Sequence, residues 1–387
     1  MKIGVEASCL GRRQRTGVDY YTYCLLQAMI KQAPQHQFEL EYFRFLTKPP
    51  VSLGLEAPNV RQHRVSLIPG KLYSALFKYA WAPPIDLLSG ARGQVYLFPN
   101  FARWHLFFTR KSIVVIHDLA YHHAPEYVPE RLRAYLEKYV PKALAQANHI
   151  LAVSEFTKRD LIKTYSVAPE RISVASNAVD HDFFYPRKAD EVLTAQAKYG
   201  IEGSYIMFHG TIEPRKNLKG VMEAYRRLPA QLQRQYALVL TGGKGWLDDD
   251  IHQQIEDLKH QGAKVIQTGY VDQADLPALY TGASVFVWPS FYEGFGLPII
   301  EAMACGTPTI TSNVSSLPEA AGDAGMLVDP HDSDSIAKAM EQVLTSPAEA
   351  RRMTEAGLKH VKKFNWEDSA RAALQAIEQV AFRPNAQ

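Results

Sequence analysis

Cysteine is scarce in this chain, with three residues in 387 (Cys9, Cys24 and Cys305) and none in a C-x-x-C pair. That argues against a disulfide framework and against a structural zinc site. No apolar run approaches the ~20 residues that span a bilayer. The opening MKIGVEASCL carries no basic stretch followed by a long apolar one, so no signal peptide is expected. No recognised nucleic-acid-binding motif accompanies the charge, so nucleic acid is not an expected partner. With hydrophobic residues at 47% and charged residues at 21%, the chain is neither disordered nor collagen-like. The expectation is a cytosolic protein of two or three domains, at ~100–200 residues each.

Acid is missing from one stretch. Between Arg61 and Lys111 stand eight basic residues (Arg61, Arg64, Lys71, Lys78, Arg92, Arg103, Arg110, Lys111) against one acid, Asp86. The segment therefore carries +7 in a chain of net +3, and the remainder carries −4. Tyr73, Phe77, Tyr79, Trp81, Trp104, Phe107 and Phe108 are interleaved with these charges, and Arg12, Arg13 and Arg15 cluster in the first loop. One reading is a solvated basic face over an ordinary aromatic core. The other is a contact for anionic lipid headgroups or a polyprenyl-diphosphate acceptor, which would place the protein at the inner face of the cytoplasmic membrane.

Short β-branched runs alternate with amphipathic stretches, the pattern of parallel sheets covered by helices. Residues 2–8, 112–118, 149–154 and 171–177 read as strands of one series. Residues 204–210, 237–243, 264–270 and 284–290 read as strands of a second. Helices are expected over 17–33, 333–345, 347–363 and 366–381, and residues 178–200 read as a linker. The fold class is α/β, two doubly wound domains facing a cleft. The expected division is 1–183, with the C-terminal helix 366–387 packing back on it, and 184–365. Ligands of such sheets sit at the carboxyl ends of the strands, where His117, Asp118, Ser154, Asn177, His209 and Gly210 fall.

The strongest motif is YEGFGLPIIEAMACGTP at 292–308, following a strand and opening a helix near Phe295. The amides of Phe295, Gly296 and Leu297 are expected in the first helical turn, where N–H groups lack internal partners and the dipole favours an anion. Gly294 and Gly296 allow close backbone approach. Glu293 lies in the loop and Glu301 about six residues into the helix, ~9 Å along its axis, so two carboxylates can bracket an extended ligand. The plainer alternative is a glycine-rich connection with two solvated glutamates.

This E-x7-E spacing resembles the signature of the retaining GT-B glycosyltransferases of family 4. FHGTIEPRKNL (208–218) is similar to that family's G-x-x-x-x-R-K-N segment, and HDLAYHHAPEYVP (117–129) and SEFTKRDL (154–161) to its N-terminal landmarks. The resemblance runs over nearly the whole chain, and is greatest to the bacterial O-antigen and polysaccharide mannosyltransferase branch. It implies Arg215 and Lys216 on the donor diphosphate, with Phe295, Gly296 and Leu297 at the phosphate and sugar. Glu293 would hold hydroxyls of the donor sugar and Glu301 the ribose. Tyr270 and Val271 would frame the base. Gly17, with Thr16 beside it, would lie near the diphosphate, and His117 would face the transferred sugar. A strand-end His–Asp pair is otherwise a common structural feature, and the polar residues at the other strand ends are otherwise caps of the following loops.

Three D-x-D pairs (Asp180/Asp182, Asp248/Asp250, Asp332/Asp334) stand at the linker or at helix starts, where acids satisfy the dipole. With Arg215, Lys216 and a helix terminus available for charge, neither a metal nor another cofactor is expected. The implied reaction is hexosyl transfer with retention, from a nucleotide-diphosphate sugar to a saccharide or polyprenyl-diphosphate-linked acceptor. GDP-mannose leads as donor, ahead of GDP-rhamnose, UDP-glucose and dTDP-rhamnose. A nucleotide-sugar epimerase on the same fold would not need the basic–aromatic segment. A pyridoxal-phosphate phosphorylase would be longer, and a periplasmic sugar-binding module would need an export signal.

Overall fold

A computed structural model describes residues 1–11, 16–49, 51–78, 81–243 and 249–382, with the side chains of residues 78, 249, 250 and 252 excepted. Arg12, Arg13, Arg15, Tyr79 and Asp248, with the side chains of Lys78 and Asp250, lie outside the described residues.

The first unit joins residues 1–119 and 130–177 to the helix that starts at Trp366. Its sheet comprises β1 (Lys2–Glu6), β2 (Gln37–Phe43), β3 (Val60–Val65), β4 (Val95–Phe98), β5 (Ser112–Ile116), β6 (His149–Ala152) and β7 (Ile172–Val174). The strands are parallel, in the order β3-β2-β1-β4-β5-β6-β7. The second unit joins residues 120–129 to 178–365. It contains β8 (Ser204–His209), β9 (Tyr236–Thr241), β10 (Val265–Gly269), β11 (Val285–Trp288), β12 (Thr309–Ser312) and β13 (Met326–Val328). These too are all parallel, ordered β10-β9-β8-β11-β12-β13. Strands covered by helices on both faces read as continuous apolar runs, and β5 and β9 are buried at every position.

The C-terminal helix Trp366–Phe382 belongs to the first unit. Trp366 meets Tyr21 edge-on at 5.7 Å, Ser369 donates to the Ser176 carbonyl at 2.7 Å, and the Lys111 ammonium reaches the Ala381 carbonyl at 2.6 Å. The stretch read as a linker is not all loop. Ala189–Lys198 is helical, with Glu191 accepting from the Lys188 N–H at 3.1 Å. Only Ala195 of that helix is buried, so there is no apolar stripe to announce it.

The basic–aromatic segment divides. Tyr73 and Phe77 are core, packed with Val65, Ile85 and Tyr139, and Trp104 lies against them. Arg64 is spent on the carbonyls of Arg44, Phe45 and Lys48, and Arg103 on the Ser112 hydroxyl. The exposed remainder is Trp81, Phe107 and Phe108 with Arg61, Lys71, Arg92 and Arg110, and the Arg92 guanidinium lies over the Phe108 ring at 5.0 Å.

Candidate active site

In the second unit, β8 ends on His209 and hands over to Gly210, whose φ is +136°. The chain then folds through a short turn, Pro214–Lys216, into the helix Leu218–Arg227. Asn217 (φ +58°) secures that junction. Its side-chain N–H donates to the carbonyls of Pro289 at 3.1 Å and Pro330 at 2.7 Å, and its Oδ1 accepts from the Gly220 N–H at 3.1 Å. This cap fixes the two preceding cations.

Arg215 Nη2 donates to Glu213 Oε1 at 2.7 Å. Its Nη1 donates to the Tyr292 carbonyl at 2.6 Å and pairs with Glu293 Oε2 at 2.6 Å. Lys216 Nζ stands 3.9 Å from Glu213 Oε1, and a Cβ on Gly210 would come within 2.6 Å of it. Burial pulls the Lys216 ammonium below its ordinary pKa, against the opposing pull of Glu213 and Glu293. Two cations and two carboxylates thus share one buried patch.

Glu293 has two serines beneath it. Its N–H donates to Ser315 Oγ at 3.1 Å, and Ser316 Oγ lies 2.8 Å from the Glu293 carbonyl and 3.0 Å from that of Phe295. While Oε2 faces Arg215, Oε1 is buried with no hydrogen-bond partner. An orphaned buried carboxylate oxygen is costly unless a donor arrives.

The following helix starts at Leu297, two residues later than expected, so Phe295 and Gly296 precede it instead of forming its first turn. Gly296 at φ +109° is the reason, since the chain must enter the left-handed region before it can turn helical. A Cβ there would also meet Ile299 Cδ1 and Leu317 Cδ2 at 2.9 Å. Phe295 is buried edge-on to Phe364 at 5.2 Å, so its side chain is packing and only its backbone is offered. Gly294 is buried in the same loop. Glu301 is buried on this helix, 3.4 Å from the Tyr280 hydroxyl, and burial raises its pKa to about 7. Beyond β10, Tyr270 is exposed and Val271 buried.

His209 is held inside. The Thr241 hydroxyl donates to the Phe208 carbonyl at 3.0 Å, so the 2.8 Å contact with His209 Nδ1 requires the histidine to donate. Burial and the nearby Lys216 lower its pKa to about 3. Asp332 caps the helix Ser333–Thr345 through the Asp334 N–H at 2.9 Å, and Asp334 pairs with Arg227 at 2.6 Å. Asp180 accepts from the Asp182 N–H at 3.1 Å. Among the described residues no group of three or more His, Cys, Asp or Glu side chains is placed to hold a metal ion.

In the first unit, His117 follows β5. Its Nε2 donates to the Pro99 carbonyl at 2.7 Å, and Tyr21 meets its ring edge-on at 5.2 Å. Burial lowers its pKa to about 4, so at neutral pH it is uncharged, with Nδ1 an acceptor. Asp19, buried and unremarked in the sequence, opposes that shift through its charge. Asp19 also closes a capping box with Thr16, and that box fixes Gly17 as the first helical residue. Ser154 caps its helix through the Thr157 N–H at 2.9 Å. Asn177 is buried with Oδ1 unpartnered, and Asp118 is half-buried.

Two family profiles cover most of the chain. Residues 19–183 match Glycosyltransferase Family 4, and residues 194–360 match Glycosyl transferases group 1. The O-antigen chain mannosyltransferase B of Escherichia coli is 38% identical over 302 residues, which are 78% of this chain and 77% of that one. The chain belongs to glycosyltransferase family 4. This glycosyltransferase is also 33% identical to the serotype-specific mannosyltransferase WbdA of Escherichia coli over 69% of its own length, but spans only 33% of that relative. Among solved structures it is similar to a sucrose-phosphate synthase from Thermosynechococcus elongatus, with a TM-score of 0.75 and 23% identity over 98% of this chain and 99% of that one. It is likewise similar to WaaG, a glycosyltransferase of lipopolysaccharide biosynthesis, with a TM-score of 0.73 and 16% identity over 97% and 99%. At these identities the likeness shows the fold alone, two Rossmann-like units of the GT-B type.

Proposed function

We propose that this glycosyltransferase moves an α-mannosyl group from GDP-mannose, with retention, to a glycan or lipid-linked saccharide of a bacterial surface polysaccharide. The site observation that carries it is Glu293, whose Oε1 awaits a hydroxyl donor beside the Arg215–Lys216 cation pair. The mannosyl assignment draws its support from the O-antigen relative. The bond between the anomeric carbon and the diphosphate oxygen breaks, and its electron pair stays on the diphosphate. The acceptor oxygen attacks on the same face, and its proton passes to the departing phosphate oxygen. Arg215 and Lys216 stabilise the charge that develops there, aided by the backbone at Gly296 and Leu297. These two cations already supply the charge that a metal would, so none is required in this proposal. His117 offers Nδ1 as an uncharged acceptor for a sugar hydroxyl.

The test is thermal shift with GDP, UDP, dTDP and ADP, each with and without magnesium, followed by turnover of the matching sugar nucleotide. A magnesium-independent GDP shift and mannosyl release are the expected results. A UDP or dTDP shift would move the donor to a glucosyl or rhamnosyl nucleotide, and no shift at all would overturn the site.

Glu301 gives a pH signature. Its raised pKa leaves it mostly protonated at pH 6, whereas a ribose diol must donate to the ionised carboxylate. Nucleotide binding should therefore release a proton, approaching one per site near pH 6 and falling to none above pH 8. Calorimetry in two buffers of different ionisation enthalpy reads this directly, and zero release at pH 6 would remove Glu301 from the ribose.

The exposed part of the basic–aromatic segment is proposed as a contact for an anionic membrane. The pair Lys71→Ala and Trp81→Ala should reduce binding to phosphatidylglycerol vesicles about tenfold, mostly at low salt. Unchanged vesicle sedimentation would leave the segment a solvated face.

A further inference from the structure

The four charges around Arg215 do not play equal parts. Glu213 is 2% exposed and holds one edge of the guanidinium, through Nη2, while also facing Lys216. It is attached where β8 has just ended, on a turn that Asn217 locks to the ends of neighbouring loops. Glu293 takes the opposite edge, through Nη1, and leaves its second oxygen unsatisfied. The first pairing is a scaffold; the second is a contact that a better partner can replace.

Resting on the donor-site reading above, we propose that Glu213 is the positioning residue that makes Arg215 and Lys216 a single preset fork. We propose further that Glu293 occupies Arg215 Nη1 as an internal stand-in for the donor diphosphate. When a diphosphate arrives it takes the place of Glu293 on that edge, because a phosphate oxygen of a doubly charged group is a stronger partner for a guanidinium than a single carboxylate oxygen. Glu293 then turns both oxygens to the sugar, so sugar recognition is completed only after the diphosphate is seated. No covalent bond changes in this exchange: the quartet is neutral by itself, and the diphosphate displaces the Glu293 charge from Arg215 toward the sugar.

The consequence runs against the usual expectation for a binding-site residue. Glu293→Gln removes the competitor's charge while keeping its shape, so it should bind GDP and inorganic pyrophosphate about fivefold more tightly than wild type while losing turnover at least a hundredfold. Glu213→Gln should weaken both ligands about tenfold and raise KM more than it lowers kcat, and Glu213→Asp should restore only part of the affinity. Calorimetry on the full chain, with melting temperatures recorded for each variant, separates these effects from misfolding. Arg215→Ala distinguishes the layers. If wild type binds neither ligand, or Arg215→Ala binds them as well as wild type, the donor-site reading itself fails. If Arg215→Ala loses binding but Glu293→Gln binds no more tightly than wild type, the exchange is wrong and the site stands. A Glu213→Gln variant with wild-type affinity and KM would reduce Glu213 to a structural acid.

Discussion

Replacing Arg215 by alanine is expected to lower kcat/KM about a thousandfold, the scale on which a fixed donor to developing charge contributes. The guanidinium sits between Glu213, Glu293 and the Tyr292 carbonyl, so alanine removes both the proposed counter-charge of the diphosphate and the link between two loops. It also leaves Glu213 buried beside Lys216 alone. Removing one partner of a buried pair costs about 3–5 kcal/mol of stability, so some of the loss could come from unfolding. Arg215→Lys separates the two, because it keeps the charge and loses the two-edged fork. That variant should melt near wild type yet retain only about a hundredth of the activity. Steady-state kinetics with the nucleotide sugar selected by thermal shift, corrected for the folded fraction, checks both. Activity in Arg215→Ala within tenfold of wild type would mean that the diphosphate lies elsewhere.

Each of the eight strands read from short apolar or β-branched runs has a counterpart. β4, VYLF, went unread although it is just as apolar and is buried at all of its four positions. The others were silent for separate physical reasons. In β2, QFELEYF, Glu39 and Glu41 are buried on a strand whose acids read as solvent-facing. β3, VRQHRV, is an edge strand with most of its side chains at least partly exposed, so its composition is polar. β12 and β13 have four and three residues, too short for a period to register.

The site divides along a similar line. The proposed site residues that carry a charge in a recognisable spacing (Arg215, Lys216, Glu293, Glu301) were legible, and the structure brings the first three into one cluster. Residues that act by holding others were not. Glu213 looks like any loop acid until its burial and its 2.7 Å contact with Arg215 are seen. Asp19 looks like an exposed first-turn acid, yet it is fully buried. Ser315 and Ser316 lie more than twenty residues from Glu293 in sequence, and only the parallel packing of β11 and β12 brings them beneath it. The polar strand-end residues went mostly to capping: Ser154 holds its helix, and His209 is locked to Thr241. A polar group at a strand end marks where a ligand can bind, but the next loop has first claim on its hydrogen bonds.

Gly242 was not singled out by any motif, yet its replacement should have the largest structural effect in the second unit. Here β8 and β9 end with their backbones nearly touching. Gly210 donates to the Thr241 carbonyl at 2.9 Å, Ile212 to that of Gly243 at 3.1 Å, and Gly242 to that of Gly269 at 2.8 Å. A Cβ on Gly242 would lie 2.0 Å from the Gly210 carbonyl oxygen, and the residue sits at φ +135°, where side chains are strained in any case. The obstacle is the backbone of Gly210, so no rotamer change relieves it. Gly242→Ala must separate the strand ends, at about 3 kcal/mol or more. For a unit of this size that is a melting temperature lower by about 6–12 °C. The same displacement moves Gly210, over which Lys216 Nζ is packed, so nucleoside-diphosphate affinity should fall even in the folded fraction. Gly243→Ala is the control: its Cβ would meet no described atom within 4 Å, and its expected change is under about 0.5 kcal/mol. Differential scanning calorimetry of the two variants decides it, and equal melting temperatures would mean that the strand ends can part without cost.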